Sequence, residues 1–246
     1  MDGVAQSAQD TTGVGVGMSQ VITWLVILAV IYLIINLAMG ATKGAAGTKA
    51  RGPRTLILGQ CGAGKTLLFF QLRDQEEVAT VSSLTPIRDT LKIDGAAIDV
   101  TDYPGHQRYR GKTAELLKEA KCVVYVVDAE DKPRLKDVAE HMYELLTHPD
   151  VSDRRIPVLL ACNKCDLPGA RTEKFIIEEI EREIEQMRVS RAATLEGQDQ
   201  AESYLGVDGE KFKLIEHSPT TVEVCRISAK KPQLEPVLEF LRAQYA

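Results

Sequence analysis

The segment Gly59-Gln60-Cys61-Gly62-Ala63-Gly64-Lys65-Thr66 fills every fixed position of the pattern G-x-x-x-x-G-K-[ST], and its flanks restrict what can be built around it. Thr55 to Leu58 reads as a short buried strand and Leu67 to Leu72 as a helix, the strand, loop and helix order that a phosphate-binding loop requires. Glycines let backbone N–H groups converge on an anion, and the helix N-terminus adds a favourable dipole. Lys65 reaches the outer phosphates and the Thr66 hydroxyl ligates magnesium. Nucleoside triphosphate binding through Gly59 to Leu67 is therefore expected.

Downstream, apolar runs alternate with helical stretches. Leu91 to Val100, Cys122 to Val127, Val158 to Ala161 and Val222 to Ile227 read as strands, set against helices near Thr113 to Ala120, Pro133 to Leu146, Glu173 to Met187 and Leu234 to Tyr245. That alternation predicts an α/β fold, a mainly parallel sheet with helices on both faces. Asp94-Gly95 interrupts the first of these runs as a hairpin turn and predicts one antiparallel edge strand. Residues 188–210, polar and glycine-containing, read as a long surface insertion.

Ahead of this domain, residues 1–20 are small and polar and are expected to be disordered. Val21 to Met39 carries no charge, is interrupted only by Thr23 and Asn36, and at ~1.5 Å per helical residue approaches the ~30 Å of a bilayer core. Trp24 lies near one end of it. A cleaved signal peptide wants a basic leader and a shorter apolar core, so a transmembrane helix is expected at 21–39. Lys43, Lys49, Arg51 and Arg54 follow the run and no basic residue precedes it, which places residues 1–20 in the lumen and the folded domain in the cytosol. Residues 40–53 read as a linker and 54–246 as the folded domain. The formal net charge of −5 gives no sign of a polyanion-binding surface. The five cysteines, Cys61, Cys122, Cys162, Cys165 and Cys225, lack the density of a disulfide framework, and Cys162-x-x-Cys165 has no second pair or histidine cluster to make a zinc site.

Asp102-Tyr103-Pro104-Gly105 follows a strand at the place where an aspartate can hold magnesium through water and a glycine N–H can donate to a terminal phosphate. Asn163-Lys164-Cys165-Asp166 and Ser228-Ala229-Lys230 each follow a strand as well. A carboxylate at Asp166 accepts from the N1–H and 2-amino group of guanine, and the Ala229 N–H can donate to its 6-carbonyl. Adenine would leave such partners unpaired. The expected base is guanine.

These motifs, in this order, resemble the Ras-like small GTPases over Arg54 to Ala246. Within that superfamily the N-terminal apolar run, Lys65-Thr66-Leu67-Leu68-Phe69, Tyr103-Pro104-Gly105-His106, Ala161-Cys162-Asn163-Lys164 and the insertion beginning Arg188-Val189-Ser190-Arg191 are similar to the signal recognition particle receptor beta subunits. The resemblance implies a P-loop GTPase domain at the endoplasmic reticulum membrane that uses GTP, GDP and Mg2+. It would anchor the receptor's alpha subunit while ribosome and nascent chain are delivered to the translocon. It further implies a first switch through Thr80, Val81, Ser82, Ser83 and Thr85, with Thr85 completing the magnesium shell. His106 stands where many members carry a water-orienting glutamine, so it is the candidate catalytic residue of a hydrolase slow without a partner. The alternative is a constitutive GTP-binding membrane scaffold with negligible turnover.

Overall fold

The computed structural model describes residues 49–74, 80, 83, 85–106, 110–195, 205–231 and 233–245. The expected segments 1–20 and 21–39, most of the 40–53 linker, Val81, Ser82 and residues 196–204 lie outside them. Among the described residues no helix is long and apolar enough to cross a membrane.

Among the described residues six strands form one sheet: β1 (Arg54–Gly59), β2 (Ile87–Ile93), β3 (Ala96–Asp102), β4 (Ala120–Asp128), β5 (Val158–Asn163) and β6 (Val222–Arg226). Their spatial order is β2-β3-β1-β4-β5-β6. Only the β2–β3 pair is antiparallel. Its turn is Asp94-Gly95, with φ of 49° and 84°, the pair of positive values that a two-residue hairpin of the right twist demands. β2 is the outer strand, and Arg88, Asp89 and Lys92 keep its surface polar, which discourages edge-to-edge pairing.

The continuous apolar runs of β4 and β5 are explained by burial on both faces. Val123, Tyr125, Val127, Val158, Leu160 and Cys162 point into one core, while Cys122, Val124, Val126, Leu159 and Ala161 point into the other. The first core is covered by α3 (Leu135–Thr147) and α5 (Glu173–Leu195), through Val138, Met142, Ile176, Ile180 and Ile184 at helical spacing. α1 (Lys65–Asp74) and α6 (Glu235–Tyr245) cover the second with Leu68, Phe69, Val237 and Leu241. The described residues also form α2 (Arg110–Leu117) and a short α4 (Pro149–Arg154). α4 escapes a periodicity reading because its six residues, under two turns, are too few to show a period. It starts at His148, whose Nδ1 accepts from Asp150 N at 3.2 Å. Burial pushes the thiols of Cys122 and Cys225 up, to about 11 and about 12, so these cysteines serve as core filling.

The segment expected as a surface insertion from residue 188 is helical as far as Leu195, because α5 continues. Its far side is docked as well. Glu181 Oε1 accepts from Leu214 N at 2.9 Å, Glu185 Oε2 accepts from Phe212 N at 3.0 Å, and the buried Arg188 guanidinium donates to Val207 O at 2.7 Å and Glu210 O at 3.0 Å. A polar helix face thus satisfies the backbone of residues 207–214 while Phe212 and Leu214 fill the core.

Candidate functional site

The sheet order sets β3 on one side of β1 and β4 on the other, so the chain direction diverges at the carboxyl end of β1 and leaves a crevice there. Gly59 ends β1 with φ of 134°, and a Cβ on it would lie 2.1 Å from Val126 O. Lys65 opens α1 and is nearly buried; its Nζ donates to Gln60 O at 2.6 Å. Burial lowers the ammonium pKa and the Asp102 charge partly opposes this. Gly105 comes so close to the loop that a Cβ on it would lie 2.5 Å from Gly59 O, which brings the second motif against the first.

Around the start of α1 an oxygen cluster forms. Thr66 Oγ1 donates to Asp102 Oδ2 at 2.7 Å and shares a hydrogen bond with Ser83 Oγ at 2.9 Å, and Ser83 Oγ lies 3.4 Å from the same carboxylate oxygen. Asp102 is fully buried, and its Oδ1 has no hydrogen-bond partner among the described residues. Burial raises its carboxyl pKa, against the pull of Thr66, Lys65 and Ser83. A buried carboxylate with an orphaned oxygen beside two hydroxyls is a hard, all-oxygen donor set of the kind magnesium takes, so these residues fit that ion. A cleft of about 180 Å3 opens above them, lined by Cys61, Gly62, Gly64, Thr80, Pro104 and His106. Thr85, the expected magnesium ligand of the first switch, is exposed and is not part of that lining. Among the described residues of the segment expected as the first switch, Ser83 is the one whose hydroxyl bonds into the cluster. No sequence signal separates the two, because both are hydroxyl residues of one loop.

The two motifs expected to read a base are joined by Asn163. Its Nδ2 donates to Ala63 O at 2.8 Å and its Oδ1 accepts from Ala229 N at 2.9 Å, all buried. The Ala229 N–H, expected to face a base carbonyl, is thereby engaged by Asn163, which ties the phosphate loop to the loop after β6. Lys164 adopts φ of 67° and its ammonium pairs with Asp128 Oδ2 at 2.5 Å. Asp166 Oδ1 accepts from Ser228 Oγ at 2.7 Å, and this bond lowers the Asp166 pKa, holding the carboxylate anionic and oriented. Lys230 is exposed beside them, and Leu67 packs against the second core.

One contact to the loop had no motif to announce it. Gln60 Nε2 donates to Arg134 O at 2.9 Å and Arg134 NH1 donates back to Cys61 O at 2.7 Å, a reciprocal tie from the turn after β4.

Comparison with known proteins places these features in context. The family model described as signal recognition particle receptor beta subunit matches residues 50–219. The mouse signal recognition particle receptor subunit beta is 33% identical over 214 residues, covering 84% of this chain and 79% of the mouse protein. The solved structure of the mammalian SRP receptor contains a chain 30% identical, superposing with a TM-score of 0.69 over 78% of this chain and 99% of that one. A chain from the Chaetomium thermophilum SRb-GTP/SRX complex shares the fold, with 21% identity and a TM-score of 0.63 over 77% of this chain and 98% of that one.

Proposed function

This chain belongs to the signal recognition particle receptor beta subunit family, and on that premise we propose that it is the membrane-anchored GTP-binding switch holding the receptor's alpha subunit at the endoplasmic reticulum. The observation that carries the switch reading is the oxygen cluster. Thr66 belongs to α1, Ser83 to the first-switch segment and Asp102 to the end of β3, so one small site draws three elements together. In this reading Thr66, Ser83 and Asp102 hold Mg2+, Lys65 and the loop N–H groups hold the phosphates of GTP or GDP, and Asp166, oriented by Ser228, reads guanine. Lys164 and Lys230 flank the base, and Asn163 positions both loops. Bound nucleotide would supply a terminal phosphate whose presence distinguishes two states. Thr80, Ser83, Pro104, Gly105 and His106 line the cleft at the cluster, and in this reading the segments that carry them, 80–85 and 103–110, form the surface that a partner reads.

The expected result is a nucleotide-linked affinity. Loaded with GTP, the chain binds the alpha subunit about 5- to 150-fold more tightly than when loaded with GDP, the range of a typical coupling between sites. Titration of each loaded form against the purified alpha subunit measures this, and Thr66→Asn, which removes the hydroxyl from the cluster, should abolish the difference. Equal affinities would favour the second reading, a constitutive scaffold with negligible turnover. One observation favours it: exposed His106 borders the cleft where many members of the superfamily carry glutamine. Delivery of ribosome and nascent chain to the translocon follows from the same family premise.

The anchor in this reading is the apolar run 21–39, with residues 1–20 luminal and the GTPase domain cytosolic. Protease added to sealed microsomes should therefore remove the whole domain and leave a short protected fragment. Full protection of the domain would reverse the topology.

A further inference from the structure

We propose that the end of the domain remote from the phosphate loop carries a basic face that docks on anionic lipid headgroups, an inference that rests on the membrane-anchored reading. β1, β4 and β5 run parallel, so their amino ends share one edge while the phosphate loop lies at the other. Across that edge residues 49–54 form a strap. Gly52 N donates to Ala120 O at 2.9 Å and Arg54 N to Glu119 O at 3.1 Å, while Tyr245 Oη donates to Pro53 O at 3.0 Å. A Cβ on Gly52 would lie 2.1 Å from Glu119 O, so the strap is pressed against the entry to β4. Residues 49–54 are therefore held at a fixed place on the domain.

The charges at that place do not cancel. Lys49 pairs with Asp153 at 2.8 Å, Arg54 with Glu119 at 3.1 Å and Arg154 with Asp150 at 3.2 Å, one cation for each carboxylate. Arg51 adds a charge whose contacts are neutral oxygens, Arg154 O at 3.2 Å and Gln244 Oε1 at 3.5 Å. Lys121 adds another, its ammonium 3.9 Å from the centroid of the Tyr245 ring, and exposed Lys118 adjoins them, its carbonyl accepting from the NH1 of the same Arg154 at 2.5 Å. A positive surplus thus gathers on one face of a chain with formal net charge −5.

Anionic lipid is the partner this arrangement fits, because the attraction of basic residues to a leaflet fades within a Debye length of about 8 Å and only a surface held close can use it. Lys49 lies ten residues after Met39, a separation that cannot exceed about 33–36 Å however the chain runs. A tether that short gives the face a high effective concentration at the bilayer.

The test uses the full chain in nanodiscs of phosphatidylcholine alone or with phosphatidylserine, and follows acylation of individual lysines by mass spectrometry. Lys118 should react about fivefold or more slowly in the phosphatidylserine discs, the effect of roughly one basic residue's attraction to the leaflet. Lys174, on α5 at the opposite end of the sheet, should react equally in both. Protection of Lys118 should vanish in Arg51→Glu/Lys121→Glu, and in the unmutated chain when salt is raised to screen the surface. Equal Lys118 rates in retained chains overturn the inference alone and leave the face to an acidic protein. A chain retained in neither kind of disc overturns the anchored reading and this inference with it.

Discussion

Replacing Asp166 with Asn is expected to lower GTP affinity by ~10³-fold or more and to raise affinity for xanthosine triphosphate. A site built around buried hydrogen bonds rejects a ligand lacking the matching group by ~10⁴ to 10⁵. The Ser228 hydroxyl holds Asp166 Oδ1 at 2.7 Å and depresses its pKa, so the group is an oriented anion across the neutral range. As a carboxylate it offers acceptors to both the N1–H and the 2-amino group of guanine. The amide introduced by Asp166→Asn would turn one acceptor into a donor, which meets the 2-amino group donor to donor but suits the 2-carbonyl of xanthine. Competition binding with GTP, XTP and ATP measures the outcome. Unchanged GTP preference in the variant would remove Asp166 from the base-reading role.

A comparable loss is expected from Gly64→Ala, for a steric reason. Gly64 has φ of 92°, and a Cβ there would lie 2.3 Å from Asn163 Nδ2. That amide cannot move aside cheaply. It is buried and bonded to Ala63 O at 2.8 Å and Ala229 N at 2.9 Å, and orphaning either group costs ~1–3 kcal/mol. Adding ~1–2 kcal/mol for a side chain in left-handed backbone gives ~2–5 kcal/mol, or roughly 30- to 5,000-fold in nucleotide affinity. Gly62→Ala is the control: its φ is 81°, but the nearest atom to a Cβ, Arg134 NH1, is 3.9 Å away. Only backbone strain remains, so the loss there should be ~10-fold. Isothermal titration of both variants with the same nucleotide checks the contrast, and equal losses would mean that Asn163 is not the wall against which Gly64 packs.

Strand runs, the Asp94-Gly95 turn and the order of the motifs were legible because each depends on neighbours in sequence. Alternation of side chains gives strands, paired positive φ needs Asn, Asp or Gly, and a phosphate loop needs its glycines within a few residues of each other. The helix α4 and the continuation of α5 past Met187 were not legible. One is under two turns long; the other opens on Arg188, whose charged side chain bonds the backbone of Val207 and Glu210 instead of facing water.

The sequence by itself determined the α/β alternation, the phosphate loop, the aspartates at 102 and 166 and the apolar run at 21–39, since local spacing and composition carry all of these. Only the tertiary structure decided that the Ser83 hydroxyl reaches Asp102, that Asn163 takes the Ala229 N–H, that Arg134 braces the loop, and that residues 49–54 lie against the entry to β4. Those relations join residues up to about a hundred positions apart, as with the Asn163 to Ala63 bond. The chemistry of a residue is fixed by its side chain, but its partner is fixed by how a parallel sheet brings distant strand ends to the same edge.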